Sequence, residues 1–93
     1  MKNALLALIF TALISTGIAE GKVDFQTGDT IKSVLERQTG QKVELRIESG
    51  EKIAGKVEKV GDKTVHLSAI AGQEFFDAVV VLEKISAVLV RTK

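Results

Sequence analysis

The sequence predicts a mainly β fold: a short N-terminal helix followed by a strongly bent, five-stranded antiparallel small barrel. Three observations carry this. Ile31, Val34 and Leu35 fall at the i, i+3, i+4 spacing of one helical face. From Lys42 onward the apolar period drops to two, the period of a strand with one buried face. Turn-forming breaks at Ser49-Gly50-Glu51, Gly61-Asp62 and Gly72 then cut the remainder into strand-length pieces.

The chain divides into residues 1–19, a lead-in at 20–28 and the domain at 29–93. Residues 1–19 read as a cleaved signal peptide. Lys2 supplies the positive start, Ala4 to Ile14 is apolar apart from Thr11, and Gly17 and Ala19 place small residues at a cleavage site. The expected location is therefore periplasmic or secreted. The alternative is a membrane anchor formed by residues 4–19, although the run falters at Ser15, Thr16 and Gly17, short of the roughly 20 apolar residues a span needs. After cleavage no membrane-spanning segment is expected.

In the domain, Asp29 or Thr30 caps the helix and Gly40 stops it. Val43, Leu45 and Ile47 alternate with Glu44, Arg46 and Glu48 in the first strand. Ile53, Gly55 and Val57 alternate with Lys52, Lys56 and Glu58 in the second. Facing Ile47 with Ile53 sets Glu48 opposite Lys52 and Glu44 opposite Lys56, two opposite-charge pairs worth roughly 0.2–1 kcal/mol each. A slip of one residue would lose both. Gly55 inside a strand marks a bend, a bulge or the close approach of another backbone. Val65 and Leu67 continue the inner face, Ile70 to Gln73 form a loop, a fourth strand runs from Glu74 to Leu82, and a fifth from Ile85 to Arg91 after a turn at Glu83-Lys84.

The last two strands do not alternate. Ala78 to Leu82 and Ala87 to Val90 are apolar on both faces, as expected of strands covered on both sides. Removal of residues 1–19 leaves 74 residues without cysteine, and so short a chain commonly needs a disulfide, a metal or a partner to complete its core. The subunit contacts of a homo-oligomer are therefore expected at Val79, Val80, Val81, Val88, Leu89 and Val90. The mature part carries 12 basic and 12 acidic residues. Without a basic excess, nucleic acid ranks behind a protein partner.

Few residues suggest chemistry. His66 is the only histidine, and beside Val65 and Leu67 it faces outward. Glu74, Asp77 and Glu83 read as scattered surface acids rather than a hydrolytic pair. Phe75 and Phe76, as strand neighbours, point to opposite faces, one into the core and one to an interface or ligand. No catalytic set, metal-ligand spacing or phosphate loop is present, so neither an enzyme nor a cofactor is expected.

The element order, with its long bent second strand, resembles the Sm/LSm family, and its bacterial Hfq branch most. The resemblance spans about residues 29 to 91. It rests on Gly50-Glu51-Lys52-Ile53-Ala54-Gly55-Lys56-Val57, which has the turn glycine, lysine and strand glycine of that branch, and on Ile85-Ser86-Ala87-Val88-Leu89-Val90, which is similar to its last strand. The resemblance implies a ring in which the fourth strand of one subunit pairs with the fifth of the next. It also implies a ligand face near Lys63, Glu83 and Lys84, but the family's RNA residues are replaced there. Val81-Leu82-Glu83-Lys84 stands where Hfq-type proteins carry Tyr-Lys-His, and Lys63 or Thr64 stands where they place a stacking aromatic. Stacking and cationic contacts are what single-stranded RNA recognition requires. The expectation is an exported, self-assembling, non-enzymatic binding or structural module; the alternative is an RNA-binding Hfq-like ring.

Overall fold

A computed structural model of the chain describes residues 22–93. The expected signal peptide at residues 1–19 lies outside the described residues, as do residues 20 and 21 of the lead-in. Helix α1 spans Ile31–Arg37, and its start is set by a reciprocal cap. The Thr30 hydroxyl accepts from the Ser33 amide at 3.1 Å, and the Ser33 hydroxyl accepts from the Thr30 amide at 2.9 Å. Two amides that the helix leaves free are thereby satisfied. Leu35 is fully buried, and Ile31 packs against the same core. Gly40, in the left-handed region at φ 86°, turns the chain after the helix and donates its amide to the Val57 carbonyl at 2.7 Å.

The five strands are β1 (Lys42–Ile47), β2 (Lys52–Val60), β3 (Thr64–Ser68), β4 (Ala78–Val81) and β5 (Ile85–Val90). They form one antiparallel sheet in the order β4-β3-β2-β1-β5. The sheet is not closed: β4 and β5 are its two edges. Yet only the 3-10 turn Leu82–Lys84 separates them in sequence. Four Cα steps reach at most about 15 Å, whereas five flat strands would hold their outer members about 19 Å apart. The sheet therefore curls toward itself, and the curl brings the end of β4 to the start of β5.

The β1–β2 register corrects the expected one. Leu45 faces Ile53 and Arg46 faces Lys52, two residues away from the pairing of Ile47 with Ile53. Neither Glu44–Lys56 nor Glu48–Lys52 forms, and Lys42 instead faces Lys56. The turn decides this. The Ile47 amide donates to the Glu51 carbonyl at 2.9 Å, closing a three-residue loop with Gly50 at φ 101°. That is a favoured hairpin geometry. A shift of two preserves parity, so Val43 and Leu45 still face inward.

Gly55 is a point of close approach. A Cβ there would lie 2.8 Å from the Ser68 carbonyl oxygen and 2.9 Å from Ile70 Cδ1. Nearby, β2 and β3 change register between Val57 and Lys59. The core comprises Leu35, Val43, Leu45, Val57, Val65, Leu67, Ile70, Val80 and Ile85.

The fourth strand is shorter than the Glu74–Leu82 expected. Glu74 to Asp77 lie outside it, in a loop turned by amide bonds from Gln73 to the Ile70 carbonyl and from Phe76 to the Gln73 carbonyl, each 2.9 Å. Strand alternation thus does not apply to Phe75 and Phe76. Both are exposed, at 98% and 63%, and neither enters the core.

Candidate functional site: two open edges and an outer groove

Residues directly opposite each other in a sheet share a face. Val80 faces buried Val65, so it points inward, and its own side chain belongs to the core. Val79 faces His66 and Val81 faces Thr64, so both point outward. They are 69% and 46% exposed. At the other edge, Val88 faces Leu45 and Val90 faces Val43, inward and half-buried; Leu89 faces Glu44, outward and 40% exposed. The six residues expected at a subunit contact thus divide into an inward set (Val80, Val88, Val90) and an outward set (Val79, Val81, Leu89). The same division occurs at both edges.

Lys63 and the turn bearing Glu83 and Lys84 are brought together. The Leu82 amide donates to the Lys63 carbonyl at 2.9 Å. The Glu48 amide donates to the Lys84 carbonyl at 2.9 Å, and Lys84 Nζ lies 4.0 Å from the Glu48 carboxylate. Charges of both signs mix at this end of the sheet, which offers no concentrated anion site.

The outer face of β2 and β3 carries a polar row. His66 Nε2 lies 2.9 Å from Asp77 Oδ2, tying the loop before β4 to β3. The Ser68 hydroxyl donates to Glu58, and Lys56 Nζ lies 3.7 Å from the same carboxylate. These two contacts, the hydroxyl foremost, lower the Glu58 pKa. Asp77 and Glu83 stand at opposite ends of β4, so the three late acids do not form one site.

The lead-in is clamped by the helix. Asp29 accepts from Arg37 at 2.6 and 3.0 Å, from the Gln26 amide at 2.8 Å and from the Ser33 hydroxyl at 2.9 Å. Arg37 foremost, then the Gln26 amide, hold this carboxyl far below the usual carboxylate range. The buried Gln38 side chain donates to the Lys22 carbonyl at 2.8 Å.

An open groove of about 700 Å³ crosses the outer face of β5, β1 and β2. Leu89, Glu44 and Ala54 form a transverse row along it, continued by Ala71, whose amide donates to the Ala54 carbonyl. Lys42, Arg91, Gly72 and Glu74 also line it, so its charged residues, with Glu44, are two basic and two acidic. Sequence reading did not assemble this site. Its residues come from four segments, and only the parity of their strands hinted that they share a face.

Among the described residues no helix is long and apolar enough to cross a membrane, and no cluster of His, Cys, Asp and Glu is arranged to hold a metal ion. Protein-family models, curated proteins and solved structures contain no match to this chain.

Proposed function

We propose that the protein is an exported, non-enzymatic, Sm-like small barrel that assembles head to tail, β4 of one copy pairing with β5 of the next, and serves as a binding or structural module. One observation carries this reading: the free edges of the sheet are β4 and β5, and their exposed apolar residues lie on the same face. An unpaired edge with apolar side chains is a template for another strand. When such edges meet, Val79 and Val81 line up beside Leu89, while Val80 continues the inner row of Val88 and Val90. Both the ladder and the core then run on across the joint. Because the two edges differ, the contact is heterologous and repeats until the rotation closes a ring. The positions of Gly50 and Gly55 and the curl of the sheet favour the Sm-like form. The pattern of residues 1–19 supports export, and the balanced charge of the mature part favours a protein partner over nucleic acid.

Native mass spectrometry of the processed protein tests this, with one lysine substitution per edge. Val79→Lys and Leu89→Lys should each abolish the multimer and leave the folded chain intact. Mixed together, they should form dimers and nothing larger, since one sound β4 and one sound β5 remain. A wild-type chain that stays monomeric at micromolar concentration would sink the proposal. Co-purifying nucleic acid that is released by salt would replace it with the RNA-binding ring.

A further inference from the structure

The loop between β3 and β4 is tied to the sheet at few points. The Ala71 amide donates to the Ala54 carbonyl, and Gln73 closes back on Ile70. The Phe76 amide returns to the Gln73 carbonyl, within the loop itself. Among the described residues, one side-chain hydrogen bond joins residues 74–77 to the sheet: Asp77 Oδ2 with His66 Nε2, at 2.9 Å. Asp77 is also the last residue before β4. This contact therefore holds both the exposed Phe75–Phe76 tip and the entry to an edge strand.

We propose that His66 and Asp77 form a proton-operated latch: with the imidazole protonated, the loop and the start of β4 are held against β3, and with it neutral they open more often. Histidine is the side chain whose charge changes between about pH 5 and pH 8. A protonated ring meets the Asp77 carboxylate in a charge-assisted hydrogen bond, about twice as strong as its neutral counterpart. A neutral ring bonds there only in the tautomer that carries its proton on Nε2. The hold is thus greatest at acidic pH and weakens as pH rises. Both side chains are open to water, at 41% and 60%, so protons reach them without any opening of the fold.

The groups around the ring set the sign of the effect. On β2 the change of register leaves Glu58 as an extra residue, so Lys59 stands opposite His66 where Glu58 would otherwise stand. A bulge of this kind re-aims side chains, and here it turns an acid and a base toward one histidine. Lys59 opposes protonation of the ring, and Glu58 supports it. Glu58 is already engaged by the Ser68 hydroxyl and by Lys56, the two leading causes of its lowered pKa, to which His66 adds. On β4 the ring faces Val79, which carries no charge. With Lys59 and Glu58 opposed, the direct contact to Asp77 decides that protonation tightens the loop.

Chymotrypsin cuts after phenylalanine, and its rate at a folded site follows the population of the open form when reclosing is fast. Phe75 and Phe76 report on the latch, and Phe25 in the lead-in is an internal reference. The segment that bears Phe25 is fastened by Asp29, Arg37 and Gln38, and Asp29, held far below the usual carboxylate range, stays ionised throughout. The processed protein is used on a Leu89→Lys background, which leaves β4 and its loop unaltered and disables the other edge, so the result does not depend on assembly. Fragment masses give the ratio of cutting at Phe75 and Phe76 to cutting at Phe25. That ratio should be about two- to fivefold lower near pH 6 than near pH 8, the size of an exposed ion pair. His66→Gln should give a high ratio at both pH values. His66→Arg, charged throughout, should give a low ratio at both. A ratio that does not change with pH while His66 is present, or a change that persists in His66→Gln, would overturn the latch. So would a His66→Arg chain cut as readily as His66→Gln, because a charge at residue 66 would then not hold the loop.

Discussion

Strands β3 and β4 are hydrogen-bonded neighbours, yet they are built on different rules. In β3, Val65 and Leu67 are fully buried, while Thr64, His66 and Ser68 turn polar groups to the outside. In β4, Val80 is buried, and Val79 and Val81 turn apolar groups to the outside. A strand that faces water on one side has no use for valine there. An absence of alternation at an edge is thus a record of surface that the single chain leaves uncovered. β5 repeats the pattern with Leu89. The Phe75–Phe76 tip adds further exposed apolar surface in the loop before β4.

The contrast between centre and edge is sharpest at Leu45 and Val79. Leu45→Ala removes a fully buried side chain from the central strand β1 and should destabilise by about 2–5 kcal/mol, read as a fall in the urea midpoint. A loss near zero would mean that the centre is not the core described here. Next in size is Gly55→Ala. Its new Cβ would press on the Ser68 backbone carbonyl, which a side-chain rotation cannot relieve, and on Ile70. A loss of about 1–3 kcal/mol is expected from such overpacking. Stabilisation instead would show that β2 and β3 are looser at their crossing than these distances state.

The helix offers a pH-dependent form of the same comparison, because its anchor is polar. The Asp29 pKa is lowered in the folded protein, so between the folded and unfolded values the unfolded chain binds more protons. The contribution of Asp29 is therefore complete above the unfolded carboxylate value of about 4 and is lost as pH falls below it. Thermal midpoints of wild type and Asp29→Asn should differ at neutral pH and converge on acidification. Parallel curves down to strongly acidic pH would assign the acid sensitivity to other carboxylates. The smallest effect belongs to the edge. Val79→Ala should change the stability of the dissociated chain by less than about 0.5 kcal/mol, as at other exposed positions. Its consequence should appear in assembly, as a higher concentration for half-dissociation in native mass spectra.

Much of the fold was legible along the chain. The stripe of Ile31, Val34 and Leu35, the cap at Thr30 and the inward parity of Val43, Leu45, Val65 and Leu67 are local patterns, each set by the period of one element. The β1–β2 register was not legible. Opposite charges favour one of several registers of equal parity, but pairs of a few tenths of a kcal/mol do not outweigh the geometry of the turn at Gly50. Phe75 and Phe76 misled for a related reason. Alternation assigns faces only within a strand, and the chain there is in a loop. Of the candidate site, the apolar residues of β4 and β5 were visible as a pattern. The groove was not, since Lys42, Ala54, Gly72 and Leu89 become neighbours only after the sheet is formed.

By itself, the sequence determines the elements of this protein, their polarity and the inner face of each central strand, because these depend on residues within a few positions of one another. That β4 and β5 would be the outer strands was implied only by resemblance, and the tertiary structure decided the strand order. Strand order depends on contacts between segments far apart in the chain, and the three-residue turn from β4 to β5 conceals that they flank opposite sides of the sheet. The same long-range pairing turns Val79, Val81 and Leu89 outward together and gathers the groove from four separate segments.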